Sequence, residues 1–342
     1  MSKTLSRREF LKLGTVGTLG IAGAAALRQN PAAAAPVTAP PHQDNMPGMT
    51  DDAHDARGSN ITTGEVDTSQ FDPMHYLTAF DYGKTSTLPD GQTLREWDVF
   101  AGDKEIEVAP GIYFPAWTYN GQVPGPTFRC TEGDRLRFNF LNASSHPHTI
   151  HFHGIHPPAM DGISPNIPSG GRFTYEFDAK PFGLHLYHCH TAPLKRHIHK
   201  GLYGTFIIDP PQGRPPAKEM VMMMNGFDTN FDGENEIYAV NTVAFHYAKH
   251  PIQIAVGELI RIYLVNITEF DPINSLHLHS GIYKLFRTGT RLDQYEITDT
   301  VTMGQGERHV LEFAPEFPGL YMFHAHQSEL AELGWMGMFE AK

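Results

Sequence analysis

Gly183-Leu-His-Leu-Tyr-His188-Cys189-His190 is the stretch on which the reading of this chain turns. It holds one of only two cysteines among 342 residues, and histidine stands on both sides of that cysteine. A thiolate between imidazoles is a soft-plus-borderline donor set that suits copper better than magnesium, calcium or manganese. Along a strand, residues i and i+2 share a face. His188 and His190 therefore point one way and Cys189 the other.

The stretch recurs as Gly319-Leu-Tyr-Met-Phe-His324-Ala325-His326, with alanine at the cysteine position. Other pieces recur in the same order. Gly133-Asp-Arg-Leu-Arg-Phe-Asn-Phe-Leu-Asn142 is echoed by Gly257-Glu-Leu-Ile-Arg-Ile-Tyr-Leu-Val-Asn266, and His151-Phe-His153-Gly by His277-Leu-His279-Ser-Gly. Gly201-Leu-Tyr-Gly-Thr-Phe is echoed by Gly334-Trp-Met-Gly-Met-Phe339. So constant an order implies internal duplication of one unit. From about Gln92 the chain is a series of short alternating runs broken by Gly, Pro, Asn and Asp, which read as strands. The expectation is an all-β chain of two tandem β-sandwiches, residues 93–212 and 213–342, joined at Pro210-Pro211 and Pro215-Pro216. A hydrophobic content of 40% is enough for two cores.

Four His-x-His pairs result: 151/153, 188/190, 277/279 and 324/326. Eight imidazoles are too many for one ion and suit a cluster. His148 lies an odd offset before His151, so a regular strand would put it on the face of Cys189. One strand pair then builds two sites back to back, joined through the peptide bonds of His188 and His190. The mononuclear site needs a third ligand from the segment after Cys189, and His197 and His199 are the candidates. His197 is preferred because Leu202 then falls five residues later.

This set of residues resembles the copper-binding signature of the multicopper oxidases, in a two-domain form, across residues 93–342. The resemblance implies two tandem cupredoxin-like Greek-key domains. Position by position, His148, Cys189 and His197 match the type 1 ligands, with Leu202 at the axial place that a thioether fills in a cupredoxin. Leucine cannot coordinate, which implies a raised reduction potential. His151 and His277 match the type 2 ligands. His153, His188, His190, His279, His324 and His326 match the binuclear type 3 ligands, which makes about four coppers per chain. Asp161, in Ala159-Met-Asp-Gly-Ile-Ser, resembles the acidic residue that relays protons toward O2. A plain turn aspartate before Gly162 is the alternative. Three-domain laccases place the next histidine five residues after the cysteine, where this chain has Leu194. The Thr191–Arg196 segment is longer, closer to copper nitrite reductase, which the Pro318–Gly334 stretch also resembles. That kinship implies a homotrimer with copper clusters between subunits; a monomer pairing its own two domains is the alternative.

The implied activity is one-electron oxidation of a phenolic or metal-ion donor coupled to four-electron reduction of O2 to water. A nitrite reductase with a single type 2 copper is one alternative. It is disfavoured because that family has Asp where His151 stands. A non-catalytic copper carrier or electron-transfer protein is another, and would not need eight clustered histidines.

The amino terminus gives an address. Arg7-Arg8 with Phe10-Leu11-Lys12, an Ala/Gly-rich run and Ala32–Ala35 resemble a cleavable twin-arginine signal over residues 1–35. This implies a periplasmic or secreted protein with no membrane span. Residues 36–92 read as a linker and an extended arm, the polar part (36–65) disordered and Phe71–Gly83 packing on the body. Lys3, Arg7, Arg8, Lys12 and Arg28 outnumber Glu9, so cleavage deepens the net charge of −12 and disfavours nucleic acid as a partner. Cys130 reads as a buried free thiol, and Met220–Met224 as core rather than a cuprous-ion site.

Overall fold

A computed structural model describes residues 63–271 and 273–342. The expected signal over residues 1–35 and most of the expected 36–65 linker lie outside the described residues. The chain folds as two tandem cupredoxin-like β-sandwiches. In the first, one sheet holds Phe80–Asp81, Gly125–Thr131, Tyr203–Asp209, Gly183–His188 and His151–Phe152 in that spatial order. The facing sheet holds Lys84–Thr87, Thr93–Ala109, Arg135–Asn142 and Arg172–Asp178, with Ile112–Tyr119 paired on the long second strand. The alternating burial of Arg135–Asn142 shows why: Leu136, Phe138 and Phe140 enter the core between the sheets while the arginines stay outside.

The second sandwich repeats this plan. Ile252–Ile254, Met336–Ala341, Gly319–His324 and Ile273–Leu278 follow one another as their counterparts do. Lys218–Phe227 pairs in parallel with Ile260–Asn266, as Thr93–Ala109 does with Arg135–Asn142. The Met220–Met224 run lies inside Lys218–Phe227, buried on both faces. Met220, Met222 and Met224 enter the core of the second sandwich, while Val221 and Met223 enter a layer shared with the first. Cys130 is buried and free.

Ions also join the two halves. Arg129 reaches Asp209 at 2.7 Å and Glu219 at 2.6 Å, and Arg261 reaches Glu219 at 3.0 Å and Glu312 at 2.6 Å. Burial pushes the Glu219 carboxyl up, but Arg129, Tyr263 and Arg261 together hold it down at about 2.

The arm differs from the extended segment expected. Asp72 accepts from the Met74 amide at 2.8 Å and Pro73 opens a helical turn, Pro73–Tyr76, because an aspartate cap and a first-turn proline together favour helix. Only Phe80–Asp81 is strand, paired in parallel with Thr127 and Phe128. The arm does pack on the body, with Tyr76 and Leu77 buried.

Candidate metal centres

Cys189 follows the last residue of Gly183–His188 and is wholly buried. The His197 Nδ1 lies 3.3 Å from its Sγ, and the His148 Nδ1 lies 3.9 Å from it. The two Nδ1 atoms are 3.1 Å apart. Taking metal–nitrogen bonds of about 2.0–2.1 Å and a metal–sulfur bond of about 2.3 Å, these gaps correspond to angles of roughly 100°, 100° and 125° at a single ion. The three atoms therefore fit one metal without rearrangement. His148 arrives by a route that strand parity did not foresee. It lies in a single bridge to Ile167, ahead of the two-residue strand His151–Phe152.

The surroundings prepare these atoms for a cation. His148 Nε2 donates to Ser144 Oγ at 2.9 Å, and Ser144 donates to Asp103 at 2.5 Å. That chain leaves the Nδ1 lone pair facing Cys189. Burial lowers His148 to about 3, with His197 adding to the effect, and lowers His197 to about 4. Both imidazoles are therefore neutral near pH 7 and able to ligate. The Thr149 amide donates to the sulfur at 3.4 Å. Leu202 is fully buried in the same core, and its carbonyl accepts the Cys189 amide at 3.0 Å. His199 is not brought to this site: its Nε2 accepts the Asp228 amide at 3.2 Å on the other side of the helix Leu194–His199. The segment after Cys189 contains that helix, which swings His197 back toward the sulfur. The Trp117 ring lies 4.9 Å from that of His197 and 5.0 Å from that of His148, a contact the sequence did not suggest.

On the opposite face, His151 pairs with His188 across two strands. The His151 Nδ1 lies 2.8 Å from the Asp161 carbonyl, and the His188 Nδ1 lies 3.0 Å from the Cys189 carbonyl. Each therefore donates from Nδ1 and keeps Nε2 free. The Nε2 atoms of His153 and His188 face each other at 3.3 Å. The second sandwich repeats the arrangement. His277 Nδ1 is held by the Asp299 carbonyl and Thr300 Oγ1, at 3.1 and 2.8 Å, and His324 Nδ1 by the Ala325 carbonyl at 2.6 Å. The Nε2 atoms of His279 and His324 face each other at 2.9 Å. Nitrogens 3.3 and 2.9 Å apart correspond to angles of roughly 110° and 90° at an ion about 2.0–2.1 Å from each, so both pairs fit a metal.

His190 and His326 stand beside these sets, their rings 5.3 Å from those of His151 and His277. Among the described residues no ring contact or hydrogen bond joins the first-domain set to the second-domain set. The second set opens into a cleft of about 590 Å³ lined by His277, His279, Asp299 and the exposed Ile282 and Phe317.

Asp161 caps a short 3₁₀ turn, Pro158–Met160, and its Oδ1 lies 3.2 Å from His151 Nδ1 and 3.6 Å from His156 Nε2. Gly162 follows with φ +75°, and a Cβ there would run into the Ile150 carbonyl. The turn is thus both a structural device and a means of setting a carboxylate against a histidine of the set.

Among its described residues the second sandwich has no equivalent of the cysteine site, and its hydrogen bonds show what replaced it. The Ala325 amide donates to the Trp335 carbonyl at 3.2 Å, as Cys189 does to Leu202. The Trp335 amide donates to the Leu330 carbonyl at 2.9 Å, as Leu202 does to His197. Asn274 stands three residues before His277, as His148 stands before His151. Each of the four positions thus carries a non-ligand or a different side chain, and the Trp335 indole is fully buried there.

The comparisons with known proteins agree with this architecture. Residues 102–213 and 213–342 each match a family model described as multicopper oxidase. A solved structure described as a multicopper oxidase is 54% identical, covers 80% of this chain and 98% of its own, and superposes with a TM-score of 0.79. A copper nitrite reductase structure from Nitrosomonas europaea is 26% identical, with a TM-score of 0.67 over 73% of this chain and 94% of its own. The copper-containing nitrite reductase of Neisseria meningitidis is 27% identical over 66% of this chain. The match spans 63% of that relative's length. Two family-model matches covering both sandwiches, and a relative so similar over nearly its whole length, place the chain in a family: it belongs to the multicopper oxidases.

Proposed function

We propose that the chain is a two-domain copper oxidase of laccase-like activity. The carrying observation is the combination of one Cys–His–His set with two matching histidine sets, within each of which two Nε2 atoms face each other. His148, Cys189 and His197 hold the copper that accepts electrons. His151 and His277 hold the type 2 ion; His153, His188, His190, His279, His324 and His326 hold the type 3 pair. Bound copper supplies stepwise one-electron uptake from a phenolic or metal-ion donor and delivery of four electrons to O2, giving water.

The protein's own part is positional. Ser144 and Asp103 orient His148, and Asp161, Cys189, Asp299 and Ala325 orient the cluster histidines through their backbone carbonyls. The peptide bonds from Cys189 to His188 and His190 give electrons a covalent route between the sites. Asp161 is placed to hold a proton beside His151. Among the described residues no contact joins the two sets, and the second opens into a partly apolar cleft; on this reading a neighbouring subunit completes each cluster in a homotrimer. The amino-terminal twin-arginine-like segment directs export to the periplasm or beyond. No helix among the described residues is long and apolar enough to cross a membrane.

The test is copper content together with turnover. About four coppers per chain, absorption near about 600 nm and O2 uptake with a phenol are expected from this ligand set. About two coppers, with nitrite consumed instead of O2, would favour nitrite reduction. Asp161→Asn is expected to slow O2 uptake severalfold at unchanged copper content; copper loss would make Asp161 a structural residue only. Leu202→Met is expected to lower the reduction potential of the cysteine site by supplying an axial donor; an unmoved potential in a redox titration would remove Leu202 from the axial position.

A further inference from the structure

The helix Leu194–His199 that presents His197 also carries cations at its surface. Lys195 and Arg196 lie on it, and Lys200 caps its end. Among the described residues, no carboxylate lies within ion-pair distance of any of the three. Each instead sits over aromatic rings. Lys195 Nζ is 4.2 Å from the Phe270 ring, Arg196 is 5.2 Å from Trp117, and Lys200 Nζ is 5.0 Å from both Phe114 and Phe231. Lys200 is only 9% exposed, yet it lines two clefts, of about 640 and 450 Å³. Burial lowers its ammonium to about 8. A largely buried lysine whose ammonium makes no ion pair is costly, and an anion entering the cleft would offset that cost.

The smaller cleft bears on the proposed reaction. It is lined by Trp117, His146, Arg196, Lys200, Lys104, Asp103 and Glu105, among others, and the Trp117 ring touches those of His148 and His197. Asp103 acts on Lys200 through space, but among the described residues neither cleft carboxylate forms an ion pair with it. Asp103 is hydrogen-bonded by the hydroxyls of Ser144 and Ser145, and Glu105 makes no ion pair among the described residues. The Lys104 ammonium donates to the Gly121 carbonyl at 2.9 Å; Arg196 and Lys200 are the cleft's cations whose charged groups have no hydrogen-bond or ion-pair partner among the described residues. The volume suits a small molecule rather than a protein segment. A cationic recess on a chain of net charge −12 favours anions there against the field of the whole molecule.

We propose that this cleft binds small anionic aromatic reductants, with a carboxylate or sulfonate held by Lys200 and Arg196 and the ring laid toward Trp117. The proposal rests on the reading of His197 as a ligand of the electron-accepting copper. In each event one electron leaves the phenol for that site and the hydroxyl proton passes to solvent, leaving a phenoxyl radical. Four such events supply the electrons for one O2, and four protons from solvent complete two waters. Trp117 provides the ring contact between donor and His197, and Lys200 selects for charge.

The test uses copper-loaded enzyme with 2,6-dimethoxyphenol and its 4-carboxylate. In Lys200→Gln the ratio of kcat/KM for the carboxylate to that for the neutral phenol is expected to fall about tenfold, equivalent to about 1.4 kcal/mol. Lys200→Arg keeps the charge and is expected to restore most of the ratio. Calorimetry with 3,4,5-trimethoxybenzoate, which has no hydroxyl to oxidise, reads binding apart from turnover. Binding to the wild type that is lost in Lys200→Gln supports the site even if neither phenol is oxidised, an outcome that would sink the oxidase reading alone. An unchanged ratio, or benzoate binding equally to both proteins or to neither, overturns the proposal. So does competition by an acidic redox protein without any effect of the benzoate.

Discussion

Cys189→Ser is expected to bleach the protein and reduce donor oxidation to the level of the copper-free chain, while the histidine sets keep their metal. Serine nearly matches cysteine in volume, so the packed core around Leu202, Phe152 and Tyr175 is preserved. What is lost is chemical. The hydroxyl is a hard, weakly acidic donor and cannot replace a thiolate as a soft ligand between two imidazoles. The His188 and His190 side chains lie on the other face and keep their own contacts, so copper content is expected to fall from about four to about three per chain. Absorption spectra and metal analysis on the same sample check this. A variant that remains blue, or that still oxidises phenols, would show that electrons enter elsewhere.

The second large effect concerns how the clusters are completed. His153→Ala damages the first-domain set and His279→Ala the second-domain set. Each variant alone is expected to be inactive. If clusters form between subunits, dissociating the two variants and reassembling them together creates some interfaces that join an undamaged first-domain set to an undamaged second-domain set. Random mixing in a ring gives about a quarter of all interfaces in that state, so about a quarter of wild-type O2 uptake is expected. A monomer that pairs its own two domains would recover none. The measured fraction therefore separates the two assemblies without any structural experiment.

Much of this was legible before any coordinates, for a local reason. His-x-His on a strand places two imidazoles on one face by geometry alone, and the face of Cys189 follows from the same parity. The repeated motifs carried the duplication. Other features were not legible because they depend on contacts across long stretches of chain. The Ser144–Asp103 support for His148 spans 41 residues. Trp117 reaches His197 across the sandwich, and nothing near Trp117 in the sequence marks it. The parity argument for His148 gave the right face from a premise the fold does not meet, since a lone bridge to Ile167 rather than a regular strand positions it. The choice between His197 and His199 needed the helix Leu194–His199, which turns one histidine inward to the sulfur and the other toward Asp228.

The filled counterpart in the second sandwich has a historical consequence. If both copies descend from one copper-holding ancestor, the second passed through several independent losses, each harmless once the first had occurred. Restoring Cys at Ala325 by itself would give a thiol with Asn274 and Leu330 where imidazoles are required. No intermediate on the way back gains a working site until all three ligand positions have reverted, so selection has no gradient to follow. The duplication behaves as a ratchet: on the proposed function, one copy is committed to receiving electrons, and the other to holding half of the place where they are spent.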